Sequence, residues 1–325
     1  MIFAAAAVLI ATIAGTGLVL YFLRRHAILD HPNARSSHAV PVPRGGGIAV
    51  VTVLVAAWTA LAAPDFSTEF LLILAGATGL AAVSWVDDLR SLPAGVRLLA
   101  QAAAVLPASI WLAGPVFQGW LPGPLDTAAT VLLWLWFVNL FNFMDGIDGI
   151  SGIEAACVGG GAALIAWLAP GAALDPVFGL TLAAAALGFL AWNRPPAKIF
   201  LGDVGSVPVG FLLGWLLLKL AESGLWAPAV ILPLYYLADA TITLLCRAMR
   251  GERVWQAHRE HYYQKAVQRG RSHATVSAGV GIANLLLAGL AVFAIHWPWA
   301  ALAGASAVVA ALLIWLSRPG APAEI

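Results

Sequence analysis

Five polar clusters interrupt an apolar chain, and their residue types suit phosphate chemistry. In "WVDDLRSLPAGVR" two carboxylates, Asp87 and Asp88, are adjacent. Neighbouring carboxylates repel, and near a membrane both resist ionisation unless a cation shares them. "NLFNFMDGIDG" spaces Asn139, Asn142 and Asp145 at steps of three, near one helix face, and adds Asp148 beyond. "WNRPPAKIFLGDVGS" supplies Asn193, Lys198, Phe200 and Asp203. Asp203 stands between Gly202 and Gly205, where it could also cap a following helix. "AHREHYYQKAVQRGRSH" gathers His258, Arg259, His261 and Lys265 within one or two helical turns. That is an anion-binding density of groups, and a topology signal needs no histidines. "HPNARSSHAVPVPRGGGIAV" holds His38 and Arg44 and ends in glycines before a helix, where backbone amides can meet an anion.

Carboxylates mixed with cations and glycine-rich approaches suit a metal-bound diphosphate. Mg²⁺ is typically held by one or two carboxylates together with phosphate oxygens. Phosphoryl chemistry is then mostly positioning and charge neutralisation.

The elements that must position these groups are membrane helices. The chain has 325 residues, of which 61% are hydrophobic and only 10% charged. The charged share of a soluble domain is nearer about 25%. A net charge of +1 gives no global support to a nucleic-acid partner. The two cysteines, Cys157 and Cys246, lie in apolar runs and suggest neither a disulfide nor a thiolate metal site.

A span needs roughly 20 apolar residues. Eleven segments qualify, near 2–23, 46–63, 69–86, 96–113, 125–143, 152–169, 173–192, 204–221, 226–246, 275–295 and 298–316. The first run lacks a basic leader and is followed by Arg24 and Arg25, so it reads as a first span with its N-terminus outside. With eleven spans, all Lys and Arg except Lys219 fall on one side, which marks that side as cytoplasmic. The expectation is one integral-membrane, all-α polytopic domain over 1–325, with an external N-terminus and a cytoplasmic C-terminus. Its polar loops, near 24–45, 87–95, 144–151, 193–203 and 247–273, share the cytoplasmic face. An enzyme handling a diphosphate there needs one water-soluble and one lipid substrate.

"VDDLR", "NLFNFMDGIDG", "NRPPAKIFLGDVGS" and the His/Arg loop occur in this order at span ends. Over about residues 30–265 the chain resembles the polyprenyl-phosphate N-acetylhexosamine-1-phosphate transferases. That superfamily includes the bacterial phospho-MurNAc-pentapeptide transferase. The resemblance implies transfer from a UDP-N-acetylhexosamine to undecaprenyl phosphate, release of UMP, and a site on the cytoplasmic side of the bacterial inner membrane. It implies Mg²⁺, with Mn²⁺ as a substitute, held by Asp203 and Asp87. It gives catalytic roles to Asp87, Asp88, Asp203 and His258. It assigns substrate binding to Asn142, Asp145, Asp148, Asn193, Lys198, Phe200, Arg259, His261, His38 and Arg44. Asp148 would read the uracil and Phe200 would stack on it. A homodimer is the family expectation.

The loop reads "AHREHYYQ" rather than a run of histidines. This resembles the branch that initiates O-antigen and other surface glycans. Two other classes use span-borne acids. An intramembrane aspartyl protease would leave His258, Arg259 and the asparagines idle. A cation-coupled transporter would carry its acids near the midplane, whereas these cluster at one face.

Overall fold

The computed structural model describes residues 1–30, 41–63, 66–254, 256 and 258–320. His38 lies outside the described residues. The apolar segments become α1 (Ile2–Arg25), α2 (Gly47–Ala62), α3 (Thr68–Arg90), α4 (Ala94–Ile110), α5 (Gly123–Phe143), α6 (Ile150–Leu168), α7 (Pro176–Asn193) and α8 (Asp203–Glu222). After these come α9 (Trp226–Ile231), α10 (Leu234–Met249), α11 (Tyr262–Gln268), α12 (His273–Phe293) and α13 (Pro298–Ser317). The starts are written in the sequence. Ser67, Asp175 and Ser272 each accept a backbone N–H of the following first turn.

Eight of the helices are long and apolar enough to cross a membrane. Two shorter apolar ones, α2 and α4, fall below that length. The segment expected as one ninth span is broken at Pro233, between α9 and α10. Proline lacks the N–H and crowds the preceding turn, which is why the helix stops there. The chain is also not purely helical. Two-residue strands β1 (Leu29–Asp30) and β2 (Val42–Pro43) pair antiparallel before α2.

Helix α8 is buried along its length, with α2, α3, α5 and α6 packed against it. Lys219 near its far end is neutralised in place. Its ammonium pairs with Glu222 and lies 3.3 Å from Glu69.

The near end of α8 decides the site. A Cβ on Gly47 would fall 2.1 Å from Gly205 Cα and 2.3 Å from Gly205 N, so α2 and α8 touch backbone to backbone. Gly47→Ala must force the two helix starts apart. Overpacking of this kind costs about 1–3 kcal/mol, read as a lower melting temperature in detergent. An unchanged melting temperature would contradict this contact.

Candidate active site

The start of α8 collects side chains from four parts of the chain. Asp88 lies in the last turn of α3, and its two oxygens accept the backbone N–H groups of Asp203 (3.1 Å) and Val204 (2.9 Å). The carboxylate that caps α8 is therefore Asp88 and not Asp203. The Asp203 side chain, thus left for other work, accepts from Arg44 at 2.6 Å and from Asn142 at 3.1 Å. Asn142 also donates to Ser206 at 2.8 Å. The Arg44 guanidinium spans two acids, with Nε 2.9 Å from Asp88 and Nη2 on Asp203. Burial works against the Arg44 charge, but Asp203 and Asp88 more than offset it and hold its pKa above the ordinary range.

Backbone pairing brings Arg44 there. Phe200 N–H donates to Pro43 O, and the N–H groups of Gly45 and Gly46 donate back to Phe200 O. The two loops thus run together as a short ladder beside the carboxylates. Gly202 is required next to it. Its φ is +76°, and an added Cβ would meet an Asp88 oxygen at 2.8 Å.

Asp87 sits beside this group. Its carboxylate accepts Leu92 N–H at 2.5 Å, pairs with Arg97 at 3.4 Å, and comes within hydrogen-bonding reach of Asp203. Asp87, Arg97, Asn139, Asn142 and Asp203 line a cleft of about 290 Å³ whose other walls include Leu98, Trp136 and Leu244. A polar floor with apolar walls suits an amphiphile whose anionic end meets the carboxylates' cations. Arg97 was not among the residues singled out from the sequence. It reads as one more topogenic base until the fold turns it towards Asp87.

Asp145 follows α5 in the turn at 144–149 and is half-buried. Burial pushes its carboxyl up to about 7. The Ser151 hydroxyl and Arg44 pull it back, while Asp203 and Asp88 push further. A carboxyl raised in the fold stabilises in its protonated form. That contribution is complete below the unfolded value near 3.8 and is lost as pH rises through about 7. In chelator, the melting temperature is therefore expected to fall more steeply between pH 4 and 7 for the wild type than for Asp145→Asn. Parallel curves would refute the assignment.

A second group holds the same loop from the other side. Asn193 accepts Gly149 N–H at 2.9 Å and donates to Ile199 O at 2.9 Å, tying the 144–149 turn to the Phe200 loop. Asp148 Oδ2 accepts Ala197 N–H at 3.0 Å, and Oδ1 lies 3.3 Å from His273 Nδ1. His273 was not anticipated, because nothing in its local sequence sets it apart from the basic loop before it. Lys198 is exposed, with its ammonium 5.5 Å from the Trp192 ring.

The His/Arg loop is built on Asp239. This buried carboxylate accepts Tyr262 N–H (2.9 Å), Tyr263 N–H (3.3 Å) and the Tyr235 hydroxyl (3.2 Å), and lies 3.3 Å from His261 Nδ1. His261 is thereby buried as the N-cap of α11. Tyr263 then donates to Phe143 O at 3.1 Å, which docks α11 on the end of α5. Burial, with His261 and Arg247, lowers His258 to about 4, so its imidazole is neutral at pH 7. It offers hydrogen bonds there, not charge. Val254 of this loop reaches the cleft that Asp87 and Asp203 line.

The metal question turns on Asp87 and Asp203. Two carboxyls within reach of each other need a proton or a cation between them. Among the described residues no three of His, Cys, Asp and Glu are arranged to hold a metal ion. A pair of carboxylates completed by substrate oxygens is the arrangement that fits, and it is typical of Mg²⁺.

Residues 70–221, which include Asp87, Asp88, Asp145, Asp148 and Asp203, match the family model for glycosyl transferase family 4. The chain is 30% identical to a phospho-N-acetylmuramoyl-pentapeptide-transferase of Mycobacterium leprae, over 85% of this chain and 89% of that protein. It is 28% identical to a probable undecaprenyl-phosphate N-acetylglucosaminyl 1-phosphate transferase of Bacillus subtilis, over 75% of this chain and 71% of the relative. An undecaprenyl-phosphate alpha-N-acetylglucosaminyl 1-phosphate transferase of Escherichia coli O157:H7 is 26% identical over 86% and 81% of the two chains.

Proposed function

This chain belongs to glycosyl transferase family 4, and on that premise we propose that it transfers an N-acetylhexosamine-1-phosphate from a UDP-aminosugar to undecaprenyl phosphate. The products are undecaprenyl-diphosphate-sugar and UMP, and the step initiates O-antigen or another cell-surface glycan. The observation that carries the reading is the carboxylate group around Arg44, set at the head of α8 beside a cleft with apolar walls. The bias of Lys and Arg supports a site on the cytoplasmic face of a bacterial inner membrane.

In the proposed step an oxygen of the lipid phosphate attacks the sugar-linked phosphorus. The bond from that phosphorus to the bridging oxygen breaks, and the oxygen leaves with UMP. A phosphate monoester has a second pKa near about 6, so the nucleophile is largely dianionic at pH 7. It needs no strong base, and Asp87 serves better by organising charge than by taking a proton. Arg97 lies where it can meet the lipid phosphate, and Arg44 fixes Asp203 and Asp88. Asp203 and Asp87 would hold Mg²⁺, which supplies neutralisation of the diphosphate oxygens. His258 and Arg259 would serve the diphosphate from their loop, His258 as a neutral hydrogen-bonding group.

The test is UMP release from purified protein with undecaprenyl phosphate and a panel of UDP-sugars, with and without chelator. Turnover of UDP-N-acetylhexosamines that stops in chelator is expected. Turnover of UDP-MurNAc-pentapeptide alone would overturn the sugar assignment, and no UMP from any donor would overturn the function.

A further inference from the structure

We propose that Glu154 is an uncharged carboxylic acid inside the helix bundle, joined to Asn284 by two hydrogen bonds, and that this pair positions α12 against the turn at 144–149. Only the turnover arm of its test rests on the functional reading above. Glu154 lies in the second turn of α6 and Asn284 at the middle of α12, two helices long and apolar enough to cross a membrane. Each of the two residues is only 1% exposed. Asn284 Nδ2 donates to Glu154 Oε2 at 2.7 Å. The mechanism uses neither group.

One oxygen is left over on each side chain. Glu154 Oε1 and Asn284 Oδ1 are both buried, and neither has a hydrogen-bond partner. Two acceptors without a donor would each carry a full desolvation penalty. Among the described residues no Lys, Arg or His pairs with Glu154. The titratable groups that face it are Cys157, one turn further along α6, and Tyr235 and Tyr236 of α10, none of them a cation. An unpaired carboxylate in such surroundings is far costlier than the neutral acid. A single proton on Oε1 satisfies both leftover oxygens. The acid then has one donor and one acceptor, which match the acceptor and donor of a primary amide. Its O–H donates to Asn284 Oδ1 while Nδ2 donates to Oε2, and the ring of two hydrogen bonds is closed.

The pair fixes where α12 stands along α6. The rest of their contact is made by small and apolar groups. An added Cβ on Gly281 would meet Ile153 at 3.3 Å, and Val276, Val280, Ala283 and Leu287 are buried. Such a surface holds two helices close but does not set their register, which a polar pair can do. Register matters at the cytoplasmic end of α12. Ser277, two turns before Asn284 on the same face, donates to the Asp148 carbonyl at 2.7 Å. A shift of α12 along α6 would break that bond and release the turn that carries Asp145 and Asp148.

The experiment combines infrared spectra, melting temperature and UMP release for full-length protein in detergent. At neutral pH the difference spectrum of wild type against Glu154→Gln should contain the carbonyl stretch of a protonated carboxyl, moving to lower frequency in D2O. Glutamine offers the same donor and acceptor as the acid, so Glu154→Gln should keep the wild-type melting temperature and a kcat/KM within about threefold. Asn284→Leu strands the acid without a partner and should lower the melting temperature by several degrees and kcat/KM about tenfold. Replacing both residues by Leu leaves no stranded group, so the melting temperature should recover while kcat/KM stays about tenfold down. Absence of the acid band, or a Glu154→Gln variant as unstable as Asn284→Leu, would overturn the acid, as an ionised carboxylate with a bound cation would require. Recovery of kcat/KM together with stability in the double variant would overturn the positioning role. If Asn284→Leu fails to fold, the band, the Gln variant and the double variant still decide. Wild-type protein that shows the band but releases no UMP from any donor would instead overturn the functional reading and leave the acid–amide pair standing.

Discussion

Asp203→Asn is expected to reduce UMP release by at least about a thousandfold while leaving the protein folded. The substitution keeps volume and shape, so α8 still starts where Asp88 caps it through the backbone. What it removes is charge. Arg44 keeps Asp88 at 2.9 Å but loses its 2.6 Å partner. Asp87 loses the second carboxylate with which it would hold Mg²⁺. Removing a group aimed at charge in the transition state typically costs about 3–4 kcal/mol, a factor of about 10²–10³. Loss of the metal adds to that. Size-exclusion profile and melting temperature should match the wild type. Turnover within tenfold of wild type in a folded variant would remove Asp203 from the mechanism.

Arg44→Lys should fail almost as badly, although it conserves charge. The guanidinium serves two acids at once, Nε with Asp88 and Nη2 with Asp203. An ammonium is a point charge and cannot present that fork. It would satisfy one carboxylate and leave the other facing Asp87 and Asp145 uncompensated. We expect kcat/KM to fall about a hundredfold or more, with a lower melting temperature from repulsion among the acids. A lysine variant with full activity would show that only net charge matters at this position. The paired prediction separates two roles: Asp203→Asn should spare stability, whereas Arg44→Lys should not.

Much of the fold was legible because membranes impose a simple rule. Backbone groups in hydrocarbon must be satisfied internally, so apolar runs of sufficient length become helices. Each apolar run expected to span gave a helix, apart from the one that Pro233 breaks into α9 and α10. Motif spacing likewise marked Asp87, Asp88, Asn142, Asp145 and Asp203, and the fold gathers them at one helix start with Arg44. The β1–β2 ladder was not legible, since two-residue strands carry no periodicity.

Local pattern could not reveal which role each group plays. From sequence, Asp203 could cap a helix as well as hold a metal. The cap is Asp88, whose side chain arrives from α3 because α3 and α8 pack side by side. His261 and His258 look equivalent in "AHREH", yet Asp239 buries the first, while the second stays half-buried and neutral beside the loop. Arg97 and His273 each end one of the quoted polar stretches, but no spacing there marks either as part of the site.

The sequence by itself determined the class of molecule and the residue types available for diphosphate chemistry. Those follow from hydropathy and short-range spacing, which are local quantities. The tertiary structure alone decided the pairings Arg44–Asp203, Asp88–Val204 and Asp148–His273. Each joins residues far apart in the chain, and it forms only because Gly47 and Gly205 let α2 and α8 meet and because α12 closes over the turn at 144–149.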